Sequence, residues 1–346
     1  MDFNEIKALL LQKELPSHDY LFSLLDKTSS LLEQEICLYR PASSEGTAGS
    51  LVEFNTKKPV IIVPDIHARP DFLLNILSFT LPGFNQTVFE SLAAGTISII
   101  CVGDAVHSER QNKERWLLAL DDYYDDNFTG LPMTQEMTEC FSVICAIMEL
   151  KNAFPSDFHF LKGNHENIMN KTGSGDFAFR KFADEGNMTR DFIHSYYGED
   201  ILYLISLYEN ALPLVYANPF CVVSHAEPRR TYSRQELINA RLNSLVVEGL
   251  TWTRNGEAEE GCVQNIINDI FEFNGWGNEN AQNALYFAGH SPVQGDYALR
   301  QRGRFVQIHN PFKQNVVLAG GKEPFDLRKN IINVQNSFFG SQEEHK

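Results

Sequence analysis

The chain has 346 residues, of which 43% are hydrophobic and 21% are charged, a globular balance that excludes wholesale disorder. Lys and Arg total 29 against 45 Asp and Glu, so the formal net charge is -16. Because this averaged field repels phosphate, we expect neither nucleic acid nor an anionic membrane as a partner, and a phosphorylated ligand would need a local positive charge.

The N-terminal segment has a helical pattern. Leucines recur at roughly helical spacing over residues 1–40, and a linker rich in Pro, Ser, Gly and Ala occupies residues 41–50. We therefore divide the chain into a helical extension with its linker (1–50), one continuous domain (51–325) and a C-terminal tail (326–346). No apolar run reaches the ~20 residues that span a bilayer, and the start of the chain lacks the apolar core of a secretory signal.

Beyond residue 50, apolar strand-like runs alternate with amphipathic helices. Pro70 suits the first turn of one helix, Ser108 is a candidate N-cap of a second, and a third is expected over 134–150. Ser233 and Glu236 form a capping-box pattern that opens a further helix. This alternation predicts an α/β fold with helices on both faces of a sheet. The predicted strands, in chain order, are PVIIVPD, TISIICVGD, FHFLKGNHE, PFCVVSHAE, ALYFAGH, RGRFVQIHNP and NVVLAGG.

The six cysteines are scattered along the chain and form no C-x-x-C pair, so we do not expect a thiolate zinc site. Several of them lie in apolar runs, such as Cys101 in ISIICVG and Cys221 in PFCVVS. Free buried thiols are typical of a reducing compartment, and we therefore expect a cytoplasmic protein.

Five of the predicted strands end in residues that bind divalent metals. In an α/β sheet, ligands bind beyond the carboxyl ends of the strands, so we expect these side chains at one rim. Carboxylate, amide and imidazole groups without thiolate favour a catalytic site for Mn, Fe, Zn or a similar metal. The set is too large for one tetrahedral ion and predicts a dinuclear site, a recurrent device for phosphoester hydrolysis. Its members are Asp65, His67, Asp104, Asn164, His165, His225 and His290.

The ordered series resembles the calcineurin-like metallophosphoesterases, and among them the phosphoprotein phosphatase family of Ser/Thr phosphatases. That family shows GD-x-H-G, GD-x-x-D-R-G, GNHE, His-Gly-Gly and a later Gly-His. The corresponding segments here are PDIHA at 64–68, GDAVHSER at 103–110, GNHE at 163–166, SHAEP at 224–228 and GHSPV at 289–293. Over residues 59–320, the resemblance implies a metallophosphoesterase-type four-layer α/β/β/α sandwich with the site at the carboxyl ends of the central strands.

The resemblance also implies a metal-dependent phosphatase with two divalent ions, manganese ahead of iron or zinc. A hydroxide held by the ions would attack phosphorus, and His165 would protonate the leaving oxygen, a task that suits imidazole. Glu166 is expected to orient the loop. Of the six implied ligands, the first two hold one ion, the third bridges both and the last three hold the other: Asp65, His67, Asp104, Asn164, His225 and His290.

The chain departs from the family where glycines are expected. Pro64 and Ala68 replace the two glycines of the first motif, and Ala226-Glu227 replaces Gly-Gly, which places an extra carboxylate near the metals. These changes motivate an alternative, a non-catalytic regulatory protein on a phosphatase scaffold. Retention of every ligand and of His165 argues against that alternative.

GDAVHSER offers two alignments with the family's GD-x-x-D-R-G, and the sequence leaves both open. Counted from Asp104, His107 stands where the family has the Asp that partners the acid histidine. With two residues inserted, Glu109 and Arg110 stand for the family's Asp-Arg pair instead. We prefer the insertion, because it restores both a carboxylate and a guanidinium, and we take Glu109 and Arg110 as catalytic candidates beside His165.

Phosphate binding in the family also uses arginines. Arg110 would clamp phosphate oxygens with its planar fork, and Asn164 is expected to contact the same phosphate. Arg254, in GLTWTRNG, lies in a segment similar to the family's Trp-containing loop and is the second arginine candidate. Three further arginines flank the ligand motifs and are interpreted as ordinary surface residues: Arg69, Arg229 and Arg230.

The resemblance makes phosphoserine or phosphothreonine in proteins the first choice of substrate. The alternative is a nucleotide hydrolase that splits dinucleoside polyphosphates symmetrically and shares these motifs. We expect a phosphorylated protein or a small phosphoester as partner, with a preference for phosphates on neutral or basic partners, because the chain is acidic. Residues 171–200 follow GNHE and are expected to form part of a substrate lid. His309 follows the strand-like FVQI and could approach the rim, but we prefer to interpret it as a satisfied structural histidine.

Overall fold

The computed structural model describes residues 1–109, 112–169, 177–320, 325–335 and 338. The α-helices in this part of the chain are α1 Phe3–Leu10, α2 His18–Gln34, α3 Pro70–Ser78, α4 Val88–Ala93, α5 Lys113–Tyr124, α6 Leu131–Ala153, α7 Glu185–Tyr197, α8 Glu199–Ala211, α9 Arg234–Ile238, α10 Ser244–Thr251, α11 Cys262–Asn274, α12 Asn278–Asn283 and α13 Leu327–Asn330. The strands are β1 Leu51–Glu53, β2 Val60–Val63, β3 Ser98–Cys101, β4 Phe158–Phe160, β5 Val215–Asn218, β6 Cys221–Ser224, β7 Leu285–Ala288, β8 Ala298–Arg300, β9 Phe305–Gln307, β10 Asn315–Ala319 and β11 Ile331–Asn333.

These strands form two sheets. In the first sheet the order is β11-β10-β2-β3-β4. Strands β2, β3 and β4 are parallel to one another, and β10 pairs antiparallel with both of its neighbours, β2 and β11. In the second sheet the order is β1-β5-β6-β7-β9-β8, in which β6, β7 and β9 are parallel neighbours. Every residue of β2 and β3 is buried, as their continuous apolar sequences predict for central parallel strands.

The two sheets pack face to face, and helices cover both outer faces. Alternation along β2 shows the layering: Val60 and Ile62 lie in the core between the sheets, whereas Ile61 and Val63 lie in the core beneath the helices. Helices α1 to α8 cover the first sheet, and α9 to α12 cover the second. The four-layer α/β/β/α arrangement expected from the sequence is therefore present.

The N-terminal helices predicted from the leucine pattern are part of the helical layer over the first sheet. Leu21 and Leu25 of α2 are fully buried in the same core as α6 and α8. Ser17 caps α2 by accepting a hydrogen bond from the backbone N–H of Tyr20. Arg40, just after α2, is fully buried and lies 3.2 Å from the carboxylate of Glu35. The helices thus contribute to the main core.

Three further expectations from the sequence concern features outside the site. Residues 331–333 belong to the segment predicted as a tail, but they form β11 at the edge of the first sheet. Five cysteines are buried free thiols and Cys37 is an exposed one. Over the described ranges, no helix combines the length and apolarity needed to cross a bilayer.

Candidate metal centre and active site

The polar residues that end the predicted strands come together at one rim of the sandwich. Loops that follow β2, β3 and β4 of the first sheet meet loops that follow β6 and β7 of the second. His225, from the second sheet, lies 3.5 Å from Asp104 of the first. The convergence is the one that the strand-end pattern predicted. All six sequence-predicted ligands lie in this cluster: Asp65, His67, Asp104, Asn164, His225 and His290.

Asp65 and His67 lie side by side, as their spacing in the sequence predicts. Nε2 of His67 is 3.9 Å from Oδ2 of Asp65 and 3.7 Å from Oδ2 of Asp104. Nδ1 of the same ring lies 3.0 Å from the carbonyl oxygen of His107, which accepts the ring proton there. The lone pair of Nε2 therefore faces the two carboxylates, and these three residues form the first group of candidate metal ligands.

Asn164, His225 and His290 form a second group of candidate ligands. Oδ1 of Asn164 lies 2.9 Å from Nε2 of His225 and 2.9 Å from Nδ1 of His290. The carbonyl oxygen of Val102 lies 3.1 Å from Nδ1 of His225 and directs the other ring nitrogen toward the cluster. Asp104 contacts a member of each group, His67 at 3.7 Å and His225 at 3.5 Å.

Backbone donors hold the ligand loops in place. Glu166 accepts N–H groups from Asp104 at 2.9 Å, Ala105 at 2.9 Å and Gly163 at 2.7 Å. A Cβ on Gly163 would lie 2.2 Å from Oδ1 of Asp104, so the GNHE turn packs directly against the carboxylate. The interpretation of Glu166 as a residue that orients the loop agrees with these contacts.

Several residues of the ligand loops adopt left-handed backbone conformations that side chains other than glycine rarely favour. They are His67, Ala68, Asp104, His107 and His290, with φ between 49° and 71°. Such conformations persist only where the surrounding structure enforces them, and they cluster at functional sites. Ala68 stands at a glycine position of the family motif and keeps the backbone form that glycine would adopt.

The electrostatics of the cluster fit divalent cations. Burial, reinforced by Glu166 and Asp65, raises the pKa of Asp104 well above its usual value, and burial also raises the pKa of Asp65. Burial lowers the pKa of His67 and of His225. Bound cations would favour ionised carboxylates and neutral imidazoles. The donor set of carboxylate, amide and imidazole groups suits hard or borderline divalent ions.

His165 lies beside the bridging carboxylate. Its Nε2 is 3.7 Å from Oδ2 of Asp104, and its backbone N–H donates to Oδ1 of the same residue at 3.0 Å. The ring stacks on Phe179, with centroids 4.2 Å apart and an interplanar angle of 18°. His107 also lies beside this ring, with centroids 4.9 Å apart, and it contacts Phe179 itself at 5.4 Å. Nε2 of His107 is in turn 3.4 Å from the carboxylate of Glu185.

Glu109 is directed away from His165. Its carboxylate lies 3.8 Å from His67 and 3.2 Å from His309, and it also pairs with the ammonium group of Lys181. Among the described ion pairs, none joins Glu109 to His165. The geometry thus favours His107 as the neighbour of His165, which is the alignment that we did not prefer from the sequence. Arg110, the other half of the preferred alignment, lies outside the described residues.

The arginines near the ligand motifs differ in their environments. Arg254 is exposed, and its charge contributes, after burial and His309, to lowering the pKa of His290 to about 4. Arg69 is buried and donates to the carbonyl oxygens of Asp65 at 2.6 Å and Ile66 at 2.8 Å, so it supports a ligand loop. The two others pair with surface carboxylates, in Arg229–Glu248 at 3.0 Å and Arg230–Glu236 at 2.8 Å.

Two residues of the site have surroundings that the sequence did not reveal. Glu227, the extra carboxylate after His225, does not act as an uncompensated charge, because Arg300 donates to it at 2.7 Å and Gln301 at 2.9 Å. His309 is buried at the rim, with Nδ1 3.5 Å from Asp65 and Nε2 3.2 Å from Glu109, so it belongs to the site. Its position after an apolar strand was the signal for this in the sequence.

The segment expected to form a lid is described only from residue 177 onward. In that part, Phe179 stacks on His165, Lys181 pairs with Glu109 and Glu185 approaches His107. Phe179 and Glu185 are themselves buried. This part of the segment therefore covers the side of the site where His165 lies. Residues 171–176 of the expected lid lie outside the described residues.

Comparison with known proteins identifies the fold. No protein-family model matches the sequence, and no curated protein matches it. The fold is similar to that of a protein serine/threonine phosphatase from Saccharomyces cerevisiae with similarity to human phosphatase PP5, at a TM-score of 0.58 and 14% identity, over 96% of this chain and 95% of that one. This likeness confirms the predicted metallophosphoesterase-type fold.

A second solved structure is less similar. It is the cold-active protein-tyrosine phosphatase of a psychrophilic Shewanella species, with a TM-score of 0.42 and 14% identity over 77% of this chain and 76% of that one. A TM-score this low does not establish a common fold. The arguments about activity therefore depend on the residues of the site itself.

Proposed function

We propose that this chain is a metal-dependent phosphoesterase that hydrolyses phosphomonoesters, in the manner of a Ser/Thr protein phosphatase. The observation that carries the proposal is the convergence of buried ligand groups from both sheets on the carboxylate of Asp104, with His165 only 3.7 Å from that carboxylate. The similarity to the fold of the yeast phosphatase adds support, because it extends over 96% of this chain and 95% of that one.

We assign two divalent ions to the cluster, with manganese as the first choice. Bound together, such ions supply a nucleophile at neutral pH and neutralise the phosphoryl group under attack. The bridging role falls to Asp104, which touches His67 on one side and His225 on the other. The proposed ligands are Asp65, His67 and Asp104 for the first ion, and Asp104, Asn164, His225 and His290 for the second.

His165 is the proposed general acid, which gives its proton to the leaving oxygen. Burial, reinforced by the neighbouring histidine rings, lowers the pKa of His165 well below its usual value. The protonated ring therefore needs a counter-charge, which the phosphate dianion of the substrate supplies. Phe179 stacked on one face and the neighbouring ring of His107 hold the His165 ring in orientation.

Substrate phosphate is expected to approach from the exposed side of the site, near Arg254. Arg254 and Arg110 are the proposed phosphate-binding arginines, because a guanidinium pairs with two phosphate oxygens at once. Asn164 contributes its amide beside the same phosphate. Since the chain carries a net charge of -16, phosphorylated groups on neutral or basic peptides are the favoured substrates.

A substrate panel tests the proposal. Purified protein would be analysed for metal content and then assayed with a phosphoserine peptide in basic and acidic versions, an aryl phosphate and a dinucleoside tetraphosphate. We expect manganese-dependent release of phosphate from the aryl phosphate and the basic phosphopeptide. Turnover of the dinucleotide alone would replace the protein-phosphatase assignment by a nucleotide hydrolase. Bound metal without any turnover would indicate a regulatory protein.

A further inference from the structure

His309 is a buried histidine that lies between two carboxylates of the site. It follows β9 in the second sheet, and its side chain has 0% exposure. Nε2 faces Glu109 at 3.2 Å, whereas Nδ1 faces Asp65 at 3.5 Å, beyond a good hydrogen bond. A buried polar atom without a good partner is costly, so Nδ1 is the ring position that calls for a further ligand.

The surroundings of the ring indicate what that ligand is. Nδ1 of His309 lies 3.5 Å from Oδ2 of Asp65, the carboxylate oxygen that also faces His67. The potential ligand atoms of Asp65, His67 and His309 all lie within 4.8 Å of one another. Nε2, on the opposite side of the ring, lies 3.2 Å from Oε2 of Glu109. One ring nitrogen thus faces the first metal position and the other faces a carboxylate.

We propose that His309 is a further ligand of the first metal position, through Nδ1, and that Glu109 fixes its ring through Nε2. This inference rests on the proposed metal-dependent function. A metal-ligating histidine commonly donates its second ring N–H to a carboxylate, which sets the tautomer and the ring orientation. Lys181 pairs with Glu109 from the covering segment and balances the charge of that carboxylate.

The assignment completes the first position. Asp65, His67 and the bridging Asp104 offer three protein ligands, and His309 makes the fourth, which equals the number proposed for the second position. It also changes how the first position is built, because His309 comes from the second sheet whereas the other three come from the first. Both ions would then bind across the two sheets. Glu109 becomes a positioning residue for His309.

Metal titration tests the assignment without relying on activity. Mn²⁺ would be titrated calorimetrically into metal-free full-length protein, and ion content would be measured after gel filtration. We expect two ions per wild-type chain. In His309→Gln, one of the two affinities should fall by about 100-fold or more, and in Glu109→Gln the same site should weaken by roughly 10- to 100-fold.

His159→Gln is the matched control. His159 is equally buried, on β4, but its ring contacts the carbonyl oxygen of Ser156 and the ammonium of Lys151 rather than the site. This variant should keep both affinities. If His309→Gln also binds two ions with wild-type affinities, His309 is only an ion-pair partner of Glu109 and the proposal is wrong. Wild-type protein that binds no Mn²⁺ overturns it as well.

A measurement on the wild-type protein covers the case in which His309→Gln does not fold. In protein labelled with ¹⁵N-histidine and loaded with ¹¹³Cd²⁺, each metal-bound ring nitrogen shows a coupling to cadmium. Four coupled histidine nitrogens support the proposal, and three or fewer refute it. Failure of the proposed function would look different. In that case the wild-type protein binds two ions and His309→Gln loses one, but the protein hydrolyses no phosphoester. The ligand assignment would then stand, and the proposed activity would be wrong.

Discussion

The two sheets contribute different chemistry to the same rim. Loops of the first sheet bring carboxylates, among them Asp65, Asp104 and Glu109. Loops of the second sheet bring imidazoles, from His225, His290 and His309. The carboxylate that the second sheet adds, Glu227, is paired with Arg300 and Gln301. The carboxylates that face the ligand cluster thus come from the first sheet, and most of its imidazoles come from the second.

This division has a physical reason. Buried carboxylates repel one another, and each further negative charge in the site would raise their pKa values more. The second sheet instead offers groups that bind a cation without adding charge. It also donates a backbone N–H, from His290 to Asp65 at 2.9 Å, which links the two sheets directly at the site. Bound cations would therefore link the carboxylates of the first sheet to the imidazoles of the second.

The largest expected effect comes from removing the bridging charge. Asp104→Asn keeps the size of the side chain but removes the charge that both ions share. Metal content should fall below one ion per chain, and turnover should drop by more than the roughly 100-fold that losing an outer partner costs. Asp121→Asn, an exposed change on α5, should leave both unchanged. Activity that survives in Asp104→Asn would refute the bridging role and weaken the contrast between the sheets.

The next effect separates acid catalysis from metal binding. His165→Ala should slow hydrolysis of an alkyl phosphoester by about 10²- to 10⁴-fold, because the leaving alkoxide loses its proton donor. An aryl phosphate, with a better leaving group, should be affected less, and metal content should stay near normal. His194→Ala on the exposed face of α7 is the control. Equal losses on both substrates would contradict the role of general acid.

A glycine tests the contact between the sheets. A Cβ on Gly289 would lie 1.8 Å from Oδ1 of Asp65, whereas a Cβ on Gly295 would find its nearest neighbour at 3.9 Å. Gly289→Ala should destabilise the fold by about 1–3 kcal/mol, as overpacking does, and should weaken metal binding. Gly295→Ala should do neither. Denaturant unfolding and Mn²⁺ titration of the two variants measure both effects. Identical results for the two variants would show that the sheets can move apart at this contact at little energetic cost.

The smallest effect lies away from the rim, in the helices over the first sheet. His18 of α2 lies 2.9 Å from Asp200 of α8, and this hydrogen bond raises the pKa of His18 above 6.5. The stabilisation is therefore present below pH 6.5 and is lost as pH rises through the folded-state pKa. Asp200→Asn should lower Tm slightly at pH 5.5 and not at pH 8.5. A larger deficit at pH 8.5 would reverse the sign and contradict the pairing.

Much of the fold was open to prediction because its central strands are continuous apolar runs that end in polar residues. The runs around β2, β3, β4, β6 and β7 were all predicted. The polar residues at their ends were therefore already candidates for the ligand set. The half-exposed edge strand β8 and the short β1 were not, since neither belongs to a continuous apolar run that ends in a polar ligand. The helices α7 and α8 were also missed.

The sequence by itself determined which side chains stand at the strand ends, because strand boundaries follow from local hydrophobicity and the fold brings the carboxyl ends of parallel strands together. Only the tertiary structure decided which of these side chains meet. His309 and Asp65 are 244 positions apart, and the left-handed turns at His67, His107 and His290 aim the rings in ways that spacing does not reveal. Such contacts depend on how the two sheets pack, and that packing is a property of the whole chain.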